Sequence, residues 1–374
     1  MNSYVFILGR QPEIGLAELR ALFGKVELVL PNIATIKSNN QPDIKRLGGT
    51  RKIGKIIYSG VEGQNDFLVE HLKSLPEGKI TLGVSHYGRG ASVSSARKTG
   101  LYLKKNVGRS MRVLPNATAE ITDAATLGNK LGKSPNKVEL MIIHAKDQLI
   151  VAELTGVQDL NSYTFRDRSR PRRDARVGML PPKLAQIMIN LAASQYTATA
   201  GKTLLDPFCG TGVVLQEAAL MGFDVYGSDL EPRMIDYTKI NLDWLKQKYR
   251  LSTTPCLEVG DATSHVWQQP FDLVVCETYL GQTYTTAPRP DTLRENMATC
   301  NLIIEKFLKN LHEQIDRNTG ICVAIPVWFV AGKKHHLPVV QKLTILGFET
   351  KINSLVYARE SQIVGRELIV LAKK

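Results

Sequence analysis

Leu204-Leu205-Asp206-Pro207-Phe208-Cys209-Gly210-Thr211-Gly212-Val213-Val214 is the stretch whose reading decides the fold. A short apolar run at 203–205 stops at a turn, two glycines follow one residue apart, and apolar residues resume at 213–221. That order reads as strand, glycine loop, helix. Glycines at 210 and 212 let a backbone approach a ligand closely. Doubly wound sheets bind ligands at the carboxyl ends of their strands. The loop lacks the third glycine of the dinucleotide fingerprint and the Gly-Lys-Ser/Thr of a phosphate loop, which disfavours nicotinamide, flavin and nucleoside-triphosphate sites.

Outward from this loop, strand and helix patterns alternate. A helix follows Pro181-Pro182, with Leu184, Ile187, Met188 and Leu191 at helical spacing. Strands are expected at 224–227, just before Gly260-Asp261, at 271–276 and at 321–325. Helices are expected at 233–249, 291–315 and 339–346. Two closing strands, 352–357 and 367–371, suggest an antiparallel ending. Repeated βα units predict an α/β, Rossmann-like doubly wound domain over residues 178–374.

Upstream, residues 1–45 read as a small α+β unit and 46–155 as a second α+β region. The latter has strands at 80–85 and 138–143 and a helix at 94–107 with Gly100 in its middle. Residues 156–177 are dense in charge and poor in apolar residues, so they read as a linker or ordered arm outside any core.

With 374 residues, the chain exceeds the ~250–300 residues at which one core stops growing, so two or three domains are expected. Hydrophobic residues make up 43% and charged ones 22%, which excludes a disordered chain. No apolar run approaches the ~20 residues of a bilayer span, and the first residues, MNSYVFILGRQPE, read as a strand rather than a signal peptide. Five scattered cysteines without metal-ligand spacing point to reduced thiols in the cytosol and away from a metal site.

The net charge of +13 is unevenly placed. Residues 1–165 carry 22 Lys and Arg against 14 Asp and Glu, 166–183 carry seven against two, and 184–374 carry 19 against 19. Such segregation fits a polyanion-binding module joined to a neutral one. Arg97, Lys98, Lys104 and Lys105 fall on the polar side of the helix at 94–107, and Arg109 and Arg112 continue the bias. Arg166, Arg168, Arg170, Arg172 and Arg173 crowd the arm. A solvated helix face also carries charge; the single sign is what points to RNA.

Three acidic residues close successive strands: Asp206, Asp229 and Asp261. Each alone is equally compatible with capping a helix. Together, beside one glycine loop, they fit an adenosine ligand, with Asp229 on the ribose hydroxyls and Asp261 on the adenine amine. The next strand ends in Glu277-Thr278-Tyr279-Leu280. A carboxylate can accept an N–H from an exocyclic amine whose lone pair is delocalised into a base, and a ring can hold that base out of its stack. An N-capping Glu beside a buried Tyr is the alternative.

The chain resembles class I methyltransferases, and more narrowly the tRNA guanosine-10 N2-methyltransferase family. The resemblance is carried by Arg176-Val177-Gly178-Met179-Leu180-Pro181-Pro182-Lys183-Leu184-Ala185 after the arm, by the 205–212 loop, by Val364-Gly365-Arg366-Glu367, and by the opening strand and helix at 4–22. It implies an N-terminal ferredoxin-like and THUMP region gripping tRNA. It also implies S-adenosylmethionine held by Met179, Leu180, Pro181 and Lys183, by Asp206, Pro207, Phe208, Cys209, Gly210, Thr211 and Gly212, and by Asp229, Leu230, Gly260, Asp261 and Ala262. Catalysis would fall to Glu277, Thr278 and Tyr279. The family motif at that place is Asp-Pro-Pro-Tyr; here Glu277 stands for the Asp, and both prolines are absent. The implied reaction is methylation of guanosine at N2, once or twice. A different tRNA or rRNA base, a DNA amino group, a degenerate pocket on an RNA-binding protein, and an activating subunit stay open.

Overall fold

The computed structural model describes residues 1–61, 63–174, 179–196, 198–360 and 362–374. Arg176-Val177-Gly178, and with them the expected boundary at 177/178, lie outside the described residues. The chain divides into two compact units, Met1–Ser162 and Tyr163–Lys374.

In the first unit the strands are β1 (Asn2–Leu8), β2 (Glu27–Leu30), β3 (Ile33–Ser38), β4 (Thr50–Gly60), β5 (Ile80–Gly88), β6 (Met111–Val113), β7 (Lys137–His144) and β8 (Leu149–Val157). Its helices are α1 (Pro12–Phe23), α2 (Gln64–Lys73), α3 (Val93–Asn106) and α4 (Asp123–Gly128). All eight strands form one sheet, ordered β2-β3-β1-β4-β8-β7-β5-β6. The boundary expected at 45/46 is therefore crossed by hydrogen bonds: β1 pairs with β3 on one side and with β4 on the other. Glu18 on α1 is buried and accepts from the N–H groups of Gly48 and Gly49, at 2.9 and 2.8 Å, which fixes the entry to β4. Gly100 does not interrupt α3. It lets the helix sit close on the sheet, because a Cβ there would stand 2.7 Å from Val113 Cγ1. Ser92 and Ser95 cap this helix reciprocally.

The arm expected to lie outside any core is partly helical. Leu160–Arg168 is α5, with Tyr163 and Arg166 buried. In the second unit follow α6 (Pro182–Ala192), β9 (Thr203–Asp206), α7 (Val213–Leu220), β10 (Asp224–Asp229), α8 (Pro232–Tyr249), β11 (Cys256–Val259) and β12 (Leu273–Glu277). Then come α9 (Pro290–Gln314), β13 (Gly320–Val330), β14 (Lys333–His335), α10 (Val339–Lys342), β15 (Phe348–Tyr357) and β16 (Val364–Lys373). The helix expected over 339–346 is thus a single turn.

The sheet runs β11-β10-β9-β12-β13-β16-β15, with β14 paired to β13. Pairs from β11 to β13 are parallel, and β16 lies antiparallel between β13 and β15. The chain winds one way from β9 through β11 and the other way from β12, so the order reverses between β9 and β12. Ligands bind doubly wound sheets at that reversal, outside the carboxyl ends of the strands. The apolar residues of β9 and β12 are fully buried, as an interior parallel strand requires.

Candidate active site

At the reversal point lies a cleft of about 1280 Å³. Its floor is the loop after β9. Gly210 has φ +51° and Gly212 φ +81°, backbone conformations that favour glycine. At Gly212 a Cβ would also stand 2.9 Å from Thr238 on α8. Thr238 donates to the Gly210 carbonyl at 2.8 Å, and Asn241 Nδ2 donates to the Thr211 carbonyl at 2.9 Å. Sequence reasoning passed over these two α8 residues. Their signal is polar side chains three apart on an otherwise apolar buried face.

The three strand-end carboxylates have different surroundings. Asp206 is buried at the end of β9 and accepts from Phe208 N–H at 3.1 Å. Burial holds its pKa well above the ordinary carboxylate range, with the charges of Asp229 and Glu277 adding to the shift. Asp229 closes β10 and accepts from the N–H of Gly210 at 2.8 Å and of Glu231 at 3.0 Å. Burial raises it too. Each of its oxygens keeps a lone pair for a ligand hydroxyl. Asp261 is exposed and accepts from Thr263 N–H at 2.9 Å. Leu230 stands 62% exposed on the rim.

Of the residues expected around a cofactor, Met179, Leu180, Asp206, Pro207, Phe208, Cys209, Gly210, Thr211, Asp229, Leu230, Asp261 and Ala262 line this cleft. Pro181, Lys183, Gly212 and Gly260 are not among its lining residues. The Lys183 ammonium lies 5.1 Å from the centre of the Tyr163 ring, a cation–π contact that accounts for its charge. Gly260 serves locally, donating to the Asp229 carbonyl at 2.9 Å.

Glu277, Thr278 and Tyr279 enter the cleft together from β12. The Thr278 hydroxyl donates to the Ala324 carbonyl of β13 at 3.2 Å, which anchors the start of the loop. Tyr279 is 43% exposed. Glu277 Oε1 accepts from Arg366 Nε on β16. Burial pushes the Glu277 pKa up and Arg366 opposes the push. A second ring, Tyr284, also lines the cleft, its hydroxyl accepting from Asn296 Nδ2 at 3.0 Å. Asn296 on α9 also accepts from Gln282 N–H at 3.1 Å, which shapes this loop in place of the missing prolines. Arg366, Tyr284 and Asn296 were not singled out from sequence as site residues, since only the folded sheet brings Arg366 to Glu277 and only α9 brings Asn296 to Tyr284.

Two arginines expected to face RNA are internal. Arg166 is buried and donates bidentately to Glu217 on α7, at 2.6 and 3.1 Å. Arg170 is 4% exposed, with Nη2 directed at the Asp167 carbonyl and Met179 Sδ. Arg109 is half-buried and wraps the carbonyls that follow α2, among them Leu75 at 2.7 Å and Gly78 at 3.1 Å. Arg97, Lys98, Lys104, Lys105, Arg112, Arg168, Arg172 and Arg173 are exposed.

Residues 169–326 match the UPF0020 family, described as an RMKL-like methyltransferase domain. A tRNA (guanine(10)-N2)-dimethyltransferase of Methanothermobacter thermautotrophicus is 32% identical over 40% of this chain and 39% of its own length. Proteins of the same name align more broadly. The one from Pyrococcus abyssi is 28% identical over 70% of this chain and 71% of its own, and that from Methanocaldococcus jannaschii 29% over 87% and 91%. Among solved structures, TrmN from Thermus thermophilus covers all of both chains with a TM-score of 0.56 at 17% identity, a likeness of fold. With the strand order and the glycine loop placed as described, the sheet of the second unit has the doubly wound arrangement of the methyltransferase domain that residues 169–326 match.

Proposed function

We propose that this protein transfers methyl from S-adenosylmethionine to the exocyclic N2 of a guanosine in tRNA, at position 10. The observation that carries the reading is the meeting of Glu277 and Tyr279 with the Asp206–Gly212 loop in one cleft at the sheet reversal. The names of the aligned relatives support the choice of acceptor.

The residues present fit the cofactor. Gly210 lines the cleft, and a Cβ there would meet only the Phe208 carbonyl, at 3.9 Å, so the space before it is open to a ligand. Asp206, Asp229 and Asp261 supply hydrogen-bond acceptors to a ligand rich in hydroxyls and amines. When bound, S-adenosylmethionine supplies an electrophilic methyl group. Asp229 holds its ribose hydroxyls, Asp261 its adenine amine, and Leu230 covers the base. Glu277 accepts an N–H of the guanine amine, which returns lone-pair density to the nitrogen, and receives the released proton. Tyr279 and Tyr284 give the extruded base apolar faces. The first unit acts as the ferredoxin-like and THUMP-type tRNA holder, through the exposed Arg97, Lys98, Lys104, Lys105 and Arg112.

The test is transfer of labelled methyl into tRNA, followed by mass spectrometry of the nucleosides. N2-methylguanosine or its dimethyl form should appear and vanish when position 10 is no longer G; label that survives the change moves the target elsewhere. Glu277→Gln should lower kcat by about 10²–10⁴-fold. S-adenosylhomocysteine should still bind that variant within a few-fold.

A further inference from the structure

Glu277 and Arg366 are 89 residues apart in sequence and two strands apart in the sheet. The register shows how they meet. Glu277 lies opposite Ala324 on β13, Ala324 lies opposite Leu368 on β16, and Arg366 is two residues from Leu368. Directly paired residues, and residues two apart on a strand, share a face of the sheet. Glu277, Ala324 and Arg366 are therefore on one face, with β13 between the charged partners. Two strand spacings amount to about 9.6 Å, so two long side chains must reach across the middle strand. Its residues on that face are the compact Ala324 and Pro326, which leave room for the bridge. An Asp at 277 would fall one methylene short.

Both partners line the cleft, yet the Arg366 side chain is only 5% exposed. Oε1 of Glu277 is taken by Arg366 Nε, and Glu277 itself lines the cleft. We propose that Arg366 is a positioning residue for the reaction: from β16 it keeps the Glu277 carboxylate ionised and aimed at the substrate amine. This rests on the function proposed above. It also gives a physical role to the Glu that replaces the family's Asp. The longer acid gives up the rigidity of a proline loop and gains a fixed cation two strands away.

The other titratable groups around Glu277 are Asp206 at the end of β9, Cys276 on its own strand, and Tyr279, Tyr284 and Lys306 around the cleft. Asp206 and Cys276 are buried and pushed up, which favours their neutral forms. They cannot replace the positive charge of Arg366. Losing that charge leaves burial unopposed, so Glu277 holds its proton to higher pH.

The experiment follows the carbon-13 signal of the Glu277 carboxyl with pH in the full-length protein, assigned by its disappearance in Glu277→Gln. In Arg366→Met the midpoint should rise by about 1–3 pH units, and Arg366→Lys should restore most of the shift. Arg366→Gln serves as a second neutral variant if the Met variant does not fold. In the methylation assay, the acid limb of kcat should move up by the same amount, while the Kd for S-adenosylhomocysteine stays within threefold of wild type. An unmoved midpoint in a folded neutral variant overturns the proposal, as does equal loss of kcat at every pH. If wild-type protein methylates no tRNA, the proposed function fails, and the carboxyl titration still decides whether Arg366 governs Glu277.

Discussion

Arg166 shows how a single residue's part changes once its neighbours are known. In sequence it belongs to a run of arginines suited to phosphate. In the fold its guanidinium is buried against Glu217, and Asn241 Nδ2 ties the backbone of the same arm by donating to the Arg172 carbonyl at 2.9 Å. A buried pair broken on one side leaves an uncompensated charge, at a cost of about 3–5 kcal/mol. Arg166→Met should therefore lower the denaturation free energy by roughly that amount. The double variant Arg166→Met with Glu217→Met should recover much of it. If Arg166→Met instead leaves stability intact and weakens tRNA binding, the buried assignment is wrong. No chain-local signal separated Arg166 from the exposed Arg168 and Arg172, because their difference is only which way each side chain faces.

At the scale of elements, α3 is the clearest surface for a polyanion. Its buried residues Ala96, Gly100 and Leu103 sit at helical spacing, so the opposite face, with Arg97, Lys98, Lys104 and Lys105, is in solvent. This much follows from the 3.6-residue period, and the sequence reading placed these four correctly on the polar side. Changing all four to Gln should leave the thermal midpoint almost unchanged, since exposed charges contribute little to stability. It should flatten the slope of log affinity for tRNA against log salt by about 0.9 for each phosphate that is no longer neutralised. An unchanged slope would move the RNA surface elsewhere. The glycine loop after β9 was equally legible, because a strand end, two glycines and a helix start are adjacent in the chain. Strands β4 and β8 were not: their reading needs partners about 100 residues away, as when Lys52 pairs with Val157.

For the whole molecule, the excess of basic residues is denser in the first unit, and the cleft lies in the second. Residues 1–162 carry 22 basic against 14 acidic residues and 163–374 carry 26 against 21. Some of the second excess is internal, as with Arg166 and Arg170. On this basis, raising salt from 50 to 200 mM should weaken tRNA binding on the order of 10³-fold if about six phosphates are neutralised. Binding of S-adenosylhomocysteine, which carries little net charge, should change less than threefold; filter binding and calorimetry measure the two. A tRNA affinity indifferent to salt would rule out the phosphate grip. The sequence by itself determined the alternation of strands and helices, the loop that opens α7, the acidic strand ends and the basic face of α3, because each is a pattern within one or two turns or strands. Only the tertiary structure decided that one sheet spans residues 2–157, that Arg166 is internal, and that Glu277 meets Arg366. Those facts depend on strand order and register, which bring together residues the chain keeps far apart.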